Sequence, residues 1–186
     1  MRASEKARPP GLDVGKAEPM DPQPQGALDR ALDGVDLRIT RTFDAPIADV
    51  WASITESERT ATWFGPWEGE PGAGNTIRVQ LAFEEDKPWS EMLIDGCEPP
   101  RHLALSVTDP GGSWRLSADL REVDGATELS LTHHGIPVDT VAEVGPGWEY
   151  YLDMLVAARQ ERALPEFGDY FPAQSEYYRA LAADLG

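Results

Sequence analysis

From Ile77 to His133 the chain repeats one pattern: apolar and polar residues alternate, then a turn intervenes. Ile77, Val79, Leu81 and Phe83 alternate, and Glu84 to Pro88 is a polar turn. Trp89 to Ile94 is apolar on both faces, and Pro99-Pro100 breaks it. Leu103, Leu105 and Val107 alternate before the turn Asp109-Pro110-Gly111-Gly112. Trp114, Leu116, Ala118 and Leu120 follow, then the hairpin signal Asp124-Gly125, then Leu129, Leu131 and His133. Period-two alternation marks half-buried strands. Strands joined by turns this short must be antiparallel neighbours. A twisted sheet with one apolar face needs a cover.

One later segment is long enough to supply that cover. Gly145 to Arg162 reads GPGWEYYLDMLVAARQER, with Trp148, Leu152, Leu155 and Arg159 at helical spacing and Tyr151 beside them. Tyr150 and Met154 widen the apolar surface, so most of one side is expected to be buried. Pro146 suits a first helical turn, and Pro165 stops the helix. Gly135 to Val144 reads as a linker into it. A sheet curled round such a helix leaves a gap wherever the two curved surfaces do not match.

Ahead of the meander, Val35 to Phe43 alternates as a strand, with Arg41 breaking its apolar face. Asp44 or Ala45 is expected to cap a helix with Pro46 in its first turn and Ile47, Val50, Trp51 and Ile54 inward. A second short helix, capped by Ser57, ends at Trp63-Phe64 before Gly65-Pro66. Residues 1–34 carry five prolines and almost no apolar spacing, the composition of a disordered leader in which Met20 is an alternative start. The domain therefore runs over 35–164. The tail over 165–186 holds Phe167, Tyr170, Phe171, Tyr177 and Tyr178 and a short helix from Ala173 to Leu185 that packs back on the domain.

With 33 acidic and 16 basic residues the net charge is −17, which argues against nucleic acid and anionic membranes as partners. No apolar run approaches the ~20 residues of a membrane helix, and the N-terminus lacks the apolar core of a signal peptide. The expected location is the cytoplasm. Cys97 is the only cysteine, so no intrachain disulfide or cysteine-based zinc site can form.

The run LRITRTFDAPIADVWASITESERTATWFGP resembles the opening of the START-like, or SRPBCC, helix-grip superfamily. It is most similar to the branch named after the activator of the heat-shock-protein-90 ATPase. Phe43, Ala45 and Pro46, Val50-Trp51, Trp63-Phe64 with Pro66, and the approach to a strand over Gly72 to Val79 carry the resemblance. Gly147-Trp148, Tyr151-Leu152 and Leu155 close it, so that it spans about residues 35 to 162. It implies an α+β fold in which a curved antiparallel sheet wraps a long C-terminal helix around a cavity, with two short helices after the first strand. It leaves the reaction open, since members include lipid carriers, hormone receptors, cyclases and co-chaperone domains.

Candidate chemistry centres on that cavity. His133 shares a face with Leu129 and Leu131 and is expected inside, whereas His134 points out, so the pair cannot jointly hold a metal. Trp63, Trp89, Met92, Trp114, His133, Trp148, Tyr151 and Leu155 form the expected ligand-binding set, while Trp51 reads as plain core. Burying ~300 Å² of an apolar ligand would supply roughly 7 kcal/mol at ~25 cal/mol/Å² before association costs. Glu84-Glu85-Asp86 reads as a hairpin turn without a role. There is no Ser-His-Asp ordering around a nucleophile elbow, no phosphate loop and no dinucleotide fingerprint. The expectation is binding of a small hydrophobic molecule by a monomer or homodimer, without cofactor, metal or assigned catalytic residue. The alternatives are a co-chaperone-like module with a protein partner and a cyclase or hydrolase using His133 as base.

Overall fold

A computed structural model describes residues 22–109 and 112–185. Its strands are β1 (Ala27–Ala31), β2 (Gly34–Phe43), β3 (Trp67–Glu68), β4 (Thr76–Gln80), β5 (Trp89–Glu98), β6 (His102–Asp109), β7 (Gly112–Val123) and β8 (Ala126–Ile136). They form one sheet in the order β1-β2-β8-β7-β6-β5-β4-β3, with every pair antiparallel. The helices are α1 (Ile47–Thr55), α2 (Ser57–Thr60), α3 (Val141–Arg159) and α4 (Ser175–Asp184). The chain thus has the expected α+β architecture, an open antiparallel sheet around a long C-terminal helix.

Alternation decides which side of the sheet meets that helix. Val35, Leu37, Ile39, Arg41 and Phe43 of β2 are buried, while Arg38 and Thr42 are exposed. Leu116 and Leu120 of β7 and Leu129 and Ile136 of β8 continue the same inner face. Trp148, Tyr151, Leu152 and Leu155 of α3 pack against it. A second cluster, Ile77, Val79, Met92, Ile94 and Val107, lies under β4, β5 and β6. Phe64 touches both clusters.

Several boundaries differ from the sequence expectation. Within the 1–34 leader, residues 1–21 lie outside the described residues, but Ala27–Ala31 is a strand. The pairing partner, β2, supplies hydrogen bonds that local composition does not reveal. Pro46 itself occupies the N-cap of α1 without a side-chain cap. The Ala45 carbonyl instead accepts from Thr127 Oγ1 at 2.7 Å, tying this turn to β8. Ser57 does not cap α2 but holds β3, donating to the Trp67 carbonyl at 2.7 Å and accepting from its N–H at 2.8 Å. Helix α3 starts four residues early, because Val141, fully buried, belongs to it. Pro146 therefore sits in the second turn, where its missing N–H leaves the Ala142 carbonyl without its intrahelical partner. The expected turn at Pro110-Gly111 lies outside the described residues.

The C-terminal segment docks on α3 through close approach. A Cβ on Gly145 would stand 2.6 Å from ring carbons of Tyr178, so only glycine admits that ring. Tyr178 is fully buried and Tyr170 nearly so.

Candidate functional site

The two apolar clusters do not fuse, and the space between them is a cavity of two adjoining lobes. One, of about 100 Å³, lies between α2, α3 and the inner face of β6, β7 and β8; Trp63, Leu116, Leu131, Trp148 and Leu152 are in its wall. The other, of about 110 Å³, lies under β4 and β5; Trp67, Ile77, Met92, Ile94 and Cys97 are in its wall. Ile54, Thr60, Phe64, Leu103 and Leu105 border both. The cause is local. After α1 the chain makes only one turn of helix, and Phe64, which follows it, packs against both clusters without filling the space between them.

The polar handles of the lining indoles are already used. Trp63 Nε1 donates to the Ser53 carbonyl at 2.9 Å and Trp148 Nε1 donates to His133 Nδ1 at 3.1 Å. Trp67 Nε1 donates to the Thr55 carbonyl at 3.0 Å. A guest would therefore meet ring faces and methyl groups, with the Thr60 hydroxyl at the junction of the lobes.

The expected set is only partly brought together. Trp63, Met92 and Trp148 line the lobes. Trp89 does not: Met92 and Ile94 face inward, so Trp89 faces out and lies under the Arg78 guanidinium at 5.0 Å. Trp89 to Ile94 is apolar on both faces, which left its direction undetermined. Trp114 is on the inner face but at the end of β7, 45% exposed, with its ring 5.3 Å from that of His133. His133 is buried and caged by Trp114 and Trp148 beside the cavity, not in its wall. Tyr151 sends its hydroxyl away from the lobes to Glu84 Oε1, a 2.5 Å bond that gives the Glu84 turn a structural role. Leu155 borders a different space, an open polar cleft of about 300 Å³ with Asp49, Ser53, Arg59 and Arg159. There Asp49 Oδ1 and Oδ2 accept from Arg59 and Arg159 at 2.8 and 2.7 Å, so the ions of this larger cleft satisfy one another. Phe64, Leu103 and Leu105 were missed as lining residues, although the inward alternation of Leu103 and Leu105 was in the sequence.

His133 is held as a donor. Burial, with the neighbouring His134, lowers its pKa from 6.5 to about 4, so the ring is neutral at pH 7. With Nδ1 accepting from Trp148, the proton of the neutral ring is on Nε2. That arrangement leaves no lone pair for a general base, and the sequence-level reading of His133 as one finds no support.

Sequence reasoning also missed a buried charged network on another side of α3. Arg41, 8% exposed, donates to Glu149 Oε2 at 2.6 Å and to Asp153 Oδ1 at 2.9 Å. Glu149 Oε1 accepts from Tyr178 at 2.6 Å and from the N–H groups of Gln25 and Gly26 at 2.5 and 2.8 Å. Tyr170 donates to Asp153 Oδ2 at 2.8 Å. Burial opposes the charge on Arg41, but Asp153 and Glu149 outweigh it and raise its pKa. Burial and the Glu149 carboxylate push the Tyr178 hydroxyl well above its ordinary range. The odd Arg41 on an apolar face was the one signal of this network.

Among the described residues no helix is long and apolar enough to cross a membrane, and no three His, Cys, Asp or Glu side chains gather as metal ligands. CalU16 from Micromonospora echinospora has a similar crystal structure, with a TM-score of 0.69 at 26% identity over 86% of this chain and 97% of that one. DynU16, from the dynemicin biosynthetic locus, superposes with a TM-score of 0.61 at 23% identity over 71% of this chain and 50% of that one. EF2215 from Enterococcus faecalis, a conserved protein of unknown function, reaches 0.68 at 16% identity over 87% and 92%. The last two share the fold alone. No curated protein matches. The family model of the Activator of Hsp90 ATPase homolog 1-like protein matches residues 44–160. Together with the eight-stranded sheet gripping α3, that match shows that the chain belongs to the Activator of Hsp90 ATPase homolog 1-like family of the SRPBCC helix-grip superfamily.

Proposed function

We propose that this chain binds a small, uncharged apolar molecule in the two-lobed cavity between the sheet and the α1–α3 helices. The observation that carries the reading is the wall itself: aliphatic and aromatic side chains whose polar atoms are satisfied outside the cavity. Apolar cavities of ~150 Å³ stay dry and take up a benzene ring. Each lobe here, at about 100 or 110 Å³, suits one ring or a short branched chain, and a two-ring or bent molecule would bridge both past Phe64. Thr60, which borders both lobes, donates its hydroxyl proton to the Ser57 carbonyl at 3.2 Å, so its oxygen is the group suited to accept from an O–H or N–H of the guest.

The test is a titration with N-phenyl-1-naphthylamine, a fluorophore of one phenyl and one naphthyl group, on the intact chain. Saturable fluorescence enhancement with one site per chain is expected, and Leu105→Trp, which fills the border of the lobes, should abolish it. Absence of saturation, or equal binding by L105W, would remove the cavity as the site.

A further inference from the structure

A Ser-His-Asp arrangement lies on the other face of the sheet, where three adjacent strands bring it together. We propose that Ser117, His134 and Asp36 form an acyl-transfer site for small uncharged esters, with Ser117 Oγ as the nucleophile. Ser117 Oγ is 2.9 Å from His134 Nε2, and His134 Nδ1 is 3.0 Å from Asp36 Oδ2. These are the contacts such a relay needs, and it is recognised by geometry, not by chain order or fold. Inner-face neighbours Leu37, Leu116 and His133 are buried, so the alternate residues Asp36, Ser117 and His134 face outward.

The local backbone is built to aim these groups. The β2–β8 register shifts between Val35 and Leu37, at Asp36. Across from it Gly135 has φ +65, a left-handed conformation that favours glycine. This irregularity frees the Gly135 N–H from the ladder, and Asp36 Oδ1 accepts it at 2.9 Å. The carboxylate is thereby held with its other oxygen on His134. Strand irregularities that re-aim a side chain recur beside active sites.

With Asp36 accepting from Nδ1–H, the neutral His134 ring has a bare Nε2 that accepts the Ser117 hydroxyl proton. Attack forms a bond from Ser117 Oγ to the acyl carbon while that proton passes to Nε2. Collapse breaks the ester C–O bond, and the departing alkoxide takes the proton and leaves as an alcohol. Water then attacks the acyl-serine, giving its proton to Nε2, and the Ser117 oxygen recovers it as the acid departs. Arg115, opposite His134 in the β7–β8 register and exposed, carries its guanidinium beside Gly135, where its charge helps to keep the Asp36 carboxylate ionised. His134 and Asp36 are about one-third exposed, whereas Ser117 is 8% exposed between its cross-strand neighbours Ala104 and Thr132. Only a small acyl group reaches such an oxygen, and the net charge of −17 disfavours anionic substrates.

The experiment is labelling of the full chain with a small alkyl fluorophosphonate, read by peptide mass spectrometry. An adduct on Ser117 is expected, with its rate falling ~100-fold in His134→Asn, the scale of a lost general base. No adduct on Ser117, or an equal rate in H134N, overturns the proposal. Where H134N fails to fold by circular dichroism, Asp36→Asn is read instead. It is expected to slow labelling at least ~10-fold by favouring the wrong tautomer, and an unchanged rate is equally fatal.

Discussion

The inner side of this sheet is closed at one end and left open at the other, by opposite means. Beside β1 and β2, the space next to α3 is taken by Arg41, Glu149, Asp153, Tyr170 and Tyr178, with the chain segments before β1 and after α3 drawn in to complete the bonding. Beside β4, β5 and β6 the space is walled by apolar groups and stays partly empty. Buried charges are tolerated only when every atom is partnered, so that end is a lock. An apolar gap leaves no unpaired group and costs mainly lost contacts, so that end can stand ready for a guest.

The lock gives the largest expected effect. Glu149→Ala would leave the Tyr178 hydroxyl buried without its carboxylate and Arg41 with Asp153 alone, and should cost about 3–5 kcal/mol. The check is the urea midpoint at pH 7, and a loss below ~1 kcal/mol would break the contrast between the two ends. Next comes acid. His133 has a folded pKa of about 4 against 6.5 unfolded, so between these pH values the unfolded chain binds a proton that the folded chain does not. Stability should therefore fall as pH drops from 6.5 to 4, by roughly 3 kcal/mol from this group alone. Asp36 and Asp49 have lowered pKa values, so their contributions are lost only below their unfolded value of 3.8. Denaturation of His133→Gln across the upper window should be correspondingly flatter; an unchanged slope would show that the cage around His133 is not its source.

The cavity end should tolerate more. Leu105→Trp adds volume into existing space, so its stability cost should stay within about 1–2 kcal/mol, in the lower part of the ~1–3 kcal/mol usual for overpacking a full core. A thermal melt measures this, and a collapse of the fold would mean that the lobes are closed in solution. Smallest of all, Tyr151→Phe removes one hydroxyl bond to Glu84 and should cost about 1 kcal/mol. Its signature is faster hydrogen exchange in the residue 81–88 turn without change elsewhere.

Much of this design could be read from local pattern. The strand alternations and the broad apolar stripe on α3 were legible because each is a short-range requirement for burying one face. Their order along the chain carried the resemblance to the helix-grip superfamily. His133 inside and His134 outside followed from strand geometry alone. Trp89 was misplaced because its strand is apolar on both faces, and the cavity lining was blurred because Phe64, Leu103 and Leu105 look like any other core residues.

What the sequence by itself determined was the set of elements, because period and turn chemistry act over a few residues. Tertiary structure decided the rest. Ala27–Ala31 becomes a strand only because β2 offers it a partner. Arg41 is tolerable in the interior only because Glu149 and Asp153 arrive from a helix more than a hundred positions away. Ser117, His134 and Asp36 meet only because β7, β8 and β2 are neighbours in the sheet. These outcomes depend on pairing between distant segments, and no local pattern encodes which distant segment will supply the missing hydrogen bond or charge.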